Sequence, residues 1–165
     1  MKANSKILVV TACGARKHNE PKPAWQLYKS SRVRAVYNRR MGHDMCILST
    51  RFGLVEADRV IEPYEETLTR EKAEALIPQI VQKIKGYDCV VYFRGGAGKE
   101  YFNTMKEACY CAGKNLISLG YKFMGGISEL PKLIRLVERR KICQGLKDNI
   151  AADCNYNLDY VLSRK

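Results

Sequence analysis

Cys13-Gly14-Ala15-Arg16-Lys17 follows the apolar run Ile7-Leu8-Val9-Val10, and Ser49-Thr50-Arg51-Phe52-Gly53-Leu54 follows Met45-Cys46-Ile47-Leu48. A thiol beside cations is favoured as thiolate, the form that attacks electrophiles, so Cys13 is a candidate nucleophile. A small buried thiol is the alternative reading. Lys17 and Arg51 are candidate binding groups, since a guanidinium offers a bidentate fork to a phosphate or a base edge. Glu62-Pro63-Tyr64-Glu65-Glu66 is the densest carboxylate cluster. Pro63 holds Glu62 extended and restricts its own backbone, so Tyr64 and Glu65 are presented at a defined angle. Grouped carboxylates serve as general acids or bases, whereas Glu66 reads as negative charge placed ahead of a helix.

A third loop, Arg94-Gly95-Gly96-Ala97-Gly98-Lys99, follows Cys89-Val90-Val91-Tyr92-Phe93. Glycines let backbone amides approach an anion at a helix N-terminus. The Walker pattern is not met, because Phe93 stands where its first glycine belongs and Glu100 where Ser or Thr follows the lysine. The dinucleotide spacing is not met either. Gly95 and Gly96 therefore belong to an anion-binding turn or to a tight turn without a ligand, and an ATPase is excluded.

The elements that must position these loops alternate. Ile7–Ala12, 45–49, 89–93 and 115–119 read as strands, the first continuous and β-branched and so buried on both faces. Residues 25–41 read as one helix, with Leu27, Val33, Val36 and Tyr37 on its apolar side and Gly42 past its end. Residues 69–85 give the clearest helix, capped by Thr69, with Ala73, Leu76, Ile77, Ile80, Val81 and Ile84 at three- and four-residue steps. Pro78 should kink or break it. Further helices run from Lys99 to about residue 112 and over 127–140. Such alternation predicts a single α/β domain over residues 1–140, a mostly parallel four- to five-stranded sheet flanked by helices. Residues 141–165 read as a C-terminal helical appendage. In open sheets of this kind ligands sit at the carboxyl ends of the strands, where all three loops emerge.

Composition sets the class of partner. A chain of 165 residues is one domain long and buries a core without staples. Its net charge of +12 favours polyanions. From Arg16 to Arg40 eight basic residues face one acid, Glu20. Arg32, Arg34, Arg39 and Arg40 are thus candidates for a nucleic-acid-binding face, against the plainer reading of a solubilising surface. Seven cysteines, scattered through strand-like and helix-like segments, suit free thiols in a cytoplasmic protein better than a disulfide framework. Cys109-Tyr110-Cys111 has no second pair at zinc spacing, and His18 and His43 lie apart, so no metal or other cofactor is expected. No run approaches the roughly 20 apolar residues that span a bilayer, and no secretion signal is evident.

Cys-Gly-x-x-Lys after the first strand, Leu27-Tyr28-Lys29-Ser30, Leu-Ser-x-x-Phe-Gly-Leu at 48–54 and Pro-Tyr-Glu-x-Thr-Leu at 63–68 together resemble a small bacterial and phage domain family of unknown function. That family looks related to the YaaA peroxide-stress proteins, and the first block is similar to the Pro-Cys-Ser-x-x-Lys-Pro-Tyr block of archaeosine synthase. Glu65 stands where the pattern usually has Asp, and Phe52 where an aromatic hydroxyl is common. The resemblance, over about residues 6–135, implies a protein directed at nucleobases or nucleic acid. The expectation is an enzyme acting on a nucleobase, nucleoside or nucleotide. Cys13, Tyr64 and Glu65 would be catalytic, and Lys17, Ser49, Arg51, Gly53, Gly95 and Gly96 would hold the substrate. A non-catalytic nucleic-acid-binding protein using the basic first helix is the alternative.

Overall fold

The computed structural model describes residues 6–120 and 125–139. The strands fall where apolar runs must be covered on both sides: β1 (Ile7–Ala12), β3 (Asp44–Ser49), β6 (Cys89–Phe93) and β7 (Asn115–Leu119), with β4 (Gly53–Glu56) added by a hairpin. They form one sheet in the order β4-β3-β1-β6-β7, parallel except for β4. Val9 pairs with Met45 on one side and Val91 on the other, so β1, β3 and β6 end at the same edge. This is the mixed α/β architecture that the alternation predicts.

Side chains alternate across a strand, and the core divides accordingly. Ile7, Val9 and Val91 meet α1 (Ala24–Leu27), α2 (Ser31–Asn38) and α5 (Leu130–Glu138), which a short 3₁₀ turn, Ile127–Glu129, precedes. Leu8, Val10 and Val90 meet α3 (Arg70–Ile84) and α4 (Lys99–Ala112). A two-stranded ribbon, β2 (Lys22–Pro23) against β5 (Val60–Ile61), lies beside α1, where Ala24 and Trp25 donate to Arg59 and Ala57 carbonyls at 2.8 and 3.0 Å.

One expectation is corrected outright and another in part. Residues 25–41 are not one helix. Tyr28 is extended and Ser30 caps α2, its Oγ accepting from Val33 N–H at 3.3 Å. The segment between pairs with the loop after β1: Lys29 N–H donates to Arg16 and His18 N–H to Leu27, each at 2.8 Å. Long-range pairing and a local cap together outweigh helical continuity. Pro78, in turn, does not break α3, which runs unbroken from Thr69, whose Oγ1 accepts from Lys72 N–H at 3.2 Å. Pro78 is exposed, while Ile80 and Ile84 anchor the helix on the sheet. The appendage expected over residues 141–165 lies outside the described residues. Among the described residues no helix is long and apolar enough to cross a membrane.

Candidate functional site

The chain leaves β1 towards α1 and α2 on one face of the sheet, and leaves β6 towards α4 on the other. Because β1 and β6 are adjacent and parallel, their departing loops part and leave a crevice at their carboxyl ends. A cleft of about 870 Å³ opens there. Its walls are the loop Cys13 to Lys17, the segment Lys29 to Arg32 that opens α2, the loop Gly95 to Gly98 that opens α4, and Glu65 to Thr67. Four cations, Arg16, Lys17, Lys29 and Arg32, line it against two carboxylates, Glu65 and Glu66.

Cys13 sits where β1 ends, its backbone N–H donating to Leu48 O at 3.0 Å. Its thiol, 8% exposed, opens into the cleft. The Sγ donates to Tyr101 Oη at 3.7 Å and lies 3.8 Å from Thr50 Oγ1. Burial, and then the neighbouring Cys13, push the Tyr101 hydroxyl up to about 12. All five described cysteines are free, and Cys13 is the one in the cleft.

Tyr64 does not line the cleft. It lies beneath it, buried, with its hydroxyl 2.6 Å from Tyr28 Oη and 2.7 Å from Ser49 Oγ. Ser49 Oγ also accepts from the N–H groups of Arg51 and Phe52, each at 3.2 Å, and so shapes the hairpin into β4. Burial first, then Cys13, push the Tyr64 hydroxyl up to about 12, and burial raises Tyr28 further still. The Lys17 ammonium stands 4.5 Å from the Tyr64 ring centre and donates to Ala15 O at 3.2 Å. Glu65, next to Tyr64 in sequence, is exposed on the rim.

Of the residues assigned from sequence, the structure brings Cys13, Lys17, Glu65, Gly95, Gly96 and Arg32 together around the cleft. Ser49 and Tyr64 lie behind it. Arg51 is exposed and packs on the Phe52 ring at 5.6 Å. Gly53 (φ +70) turns the hairpin, and a Cβ there would meet the Gln79 side chain, whose amide pairs with both Leu54 backbone groups at 3.0 Å. The arginines in and just past α2 divide. Arg32 turns inward, Arg34 is exposed, Arg39 donates to Ala35 O at 3.2 Å, and Arg40 donates to Tyr37 O at 2.7 Å and lies over that ring. Sequence reasoning missed Thr50, Tyr101 and the buried Tyr28. Tyr28 carries a signal in Leu-Tyr-x-Ser, but nothing local marks Tyr101, which reaches Cys13 from α4 across 88 positions.

Among the described residues no cluster of His, Cys, Asp and Glu could hold a metal ion. No curated protein and no solved structure matches the chain. Residues 7–118 match the model of the family of unknown function DUF6884, a span that runs from the start of β1 into β7 and contains every loop around the cleft; the chain belongs to that family.

Proposed function

We propose that the protein is an enzyme acting on a nucleobase, nucleoside or nucleotide held in the switch-point cleft. The observation that carries this reading is a thiol, Cys13, opening into a cation-lined crevice that also presents a carboxylate, Glu65, without an ion-pair partner among the described residues. Lys17, Lys29 and Arg16 attract phosphate, and the Tyr101 ring offers a flank for a base. Cys13 serves as nucleophile and Glu65 as general acid or base. Tyr64, protonated at neutral pH, positions the Ser49 hairpin and Cys13 from below. Kinship with the YaaA proteins, on the Ser49 to Leu54 and Pro63-Tyr64 motifs, belongs to the same reading. So does a reducing, cytoplasmic setting, which the free thiols favour.

A second reading, non-catalytic nucleic-acid binding, is favoured by one observation where α1 meets α2. Trp25 and Tyr37 stack at 4.1 Å with 5° between their planes, and Arg40 lies 3.8 Å above the Tyr37 ring. Aromatic and guanidinium stacks of this kind suit single strands.

Mass spectrometry of small molecules and nucleic acids that copurify supplies the substrates to assay. Glu65→Gln keeps shape and removes the carboxylate's proton-accepting ability, so turnover should fall on the order of 10²-fold at an unchanged Tm. Full turnover by the variant removes Glu65 from the mechanism. If no nucleobase compound copurifies, binds or reacts, the reading fails.

A further inference from the structure

Among the described residues Arg32 is a cation without a counter-ion. Its Nη1 donates to Gly95 O, and its Nη2 to Ala12 O and Cys13 O, each at 3.1 Å. Its Nε is buried with no partner, and Arg32 forms none of the ion pairs among the described residues. Burial pulls its pKa below the ordinary guanidinium value, yet a guanidinium stays charged at any physiological pH. A cation half withdrawn from water and facing only carbonyl dipoles is under-compensated. Close by, the Tyr92 hydroxyl is fully buried with no partner among the described residues and lies within the field of Arg32. Arg32, at the start of α2, lines the cleft, whereas Tyr92 lies behind it in the core between the sheet and α4.

The surroundings are open to an anion. Ser30 and Ser31 begin α2, a helix N-terminus that favours negative charge. Gly96 (φ +77) leaves space, since a Cβ there would stand 3.7 Å from Arg32 Nη1. The other helix start is already served. Glu100 lies in the first turn of α4, so close over Gly98 that a Cβ there would stand 2.6 Å from its Oε2. Arg32 is thus the most deeply set of the four cations lining the cleft, beside a helix start that no carboxylate occupies.

We propose that Arg32 marks the subsite of a terminal phosphate, a phosphomonoester dianion that completes the charge of the cleft. Resting on the nucleotide reading above, this names the ligand as a 5′- or 3′-monophosphate rather than an internal stretch of polymer. A monoester presents three free oxygens and close to two charges at neutral pH. An internal phosphodiester carries one charge and needs a cationic track leading away on either side. Of the cations that would form that track, Arg39 and Arg40 donate to α2 carbonyls, and they and the exposed Arg34 lie outside the cleft.

The test uses the intact wild-type chain and two readouts. One is Tm; the other is iodoacetamide alkylation of Cys13, mapped by peptide mass spectrometry against the exposed Cys111. Inorganic phosphate, at ionic strength matched with chloride, should raise Tm and slow labelling of Cys13 while leaving Cys111 unaffected. Adenosine monophosphate should protect at lower concentration than either phosphate or adenosine. Arg32→Lys keeps the charge but has no N–H donor to spare beyond those facing the Gly95, Ala12 and Cys13 carbonyls, and protection should weaken about tenfold or more. Arg59→Gln, a distant exposed change, should leave protection intact. Should Arg32→Lys fail to fold, the wild-type comparison alone decides. Absence of any phosphate effect, adenosine protecting as well as its monophosphate, or full protection in Arg32→Lys overturns the subsite. Phosphate protection with no gain from the nucleoside upholds the subsite and sinks the nucleotide reading instead.

Discussion

Tyr64 and Glu65 show how far apart two neighbouring side chains can be in role. The aromatic ring packs edge-on against Phe52 at 5.6 Å and its hydroxyl joins Tyr28 to Ser49 inside the core, while the carboxylate stays in solvent on the cleft rim. Tyr64→Phe takes a partner from two buried hydroxyls, Tyr28 being left stranded while Ser49 keeps the N–H groups of Arg51 and Phe52, and the cost should be about 1–3 kcal/mol of stability. Adding Tyr28→Phe removes the stranded group, so the double variant should regain part of the loss; denaturant midpoints of the two single variants and the double variant measure this. Additive losses would mean that the two hydroxyls do not depend on each other. Pro63-Tyr64-Glu65 is visible in the sequence as a cluster, but burial separates its members and no spacing rule encodes that. Cys13, Lys17 and Gly95 are legible because each stands in a loop that follows an apolar run. Thr50, at the tip of the same hairpin as Ser49, has no comparable marker.

At the scale of elements, the continuous strands β1 and β6 and the periodic helix α3 could be read directly, because burial on two faces and a 3.6-residue repeat leave plain traces. The short pieces could not. β2 and β5 are two residues each and exist only because they pair with each other. The gap between α1 and α2 is held by bonds to Arg16 and His18, contacts invisible to a helical pattern. Gly120 shows the same dependence on distant backbone. A Cβ there would stand 2.7 Å from the Phe93 ring and 2.8 Å from Gly95 N, and its φ is +87. Gly120→Ala should therefore displace the Gly95 loop and lower Tm, with phosphate protection of Cys13 lost in the molecules that remain folded. Pro78 offers the opposite case. It removes a hydrogen bond within α3 while facing solvent, so Pro78→Ala should raise stability by up to about 3 kcal/mol, read as a shift in the urea midpoint.

Across the whole molecule, buried tyrosines set a limit on alkaline stability. Tyr64 and Tyr101 hold their protons to about 12, and burial moves Tyr28 and Tyr92 in the same direction. The unfolded chain releases these protons near 10. Below that pH both states are protonated and stability is unaffected; between about 10 and 12 only the unfolded chain ionises, and stability falls. Phenolate absorbance should thus show the exposed tyrosines titrating first. The buried ones should follow abruptly, together with the loss of helical circular dichroism. A smooth titration of every tyrosine near 10 in a folded protein would contradict their burial.

The position of β1 at the centre of the sheet also sets an order of events during synthesis. Its partner β3 emerges early, but Thr11 Oγ1 donates to Phe93 O at 2.9 Å, a contact spanning 82 positions, and Lys6 N–H meets Asp88 Oδ2 across the same interval at 2.7 Å. The first strand made therefore keeps an open edge until the fourth strand of the five-stranded sheet leaves the ribosome. Such non-local closure is slow and leaves apolar surface exposed meanwhile. Nascent chains stalled before residue 89 should be digested by protease along β1, and chains stalled well past residue 120 should resist. The crevice between those two strands is assembled by that same late step.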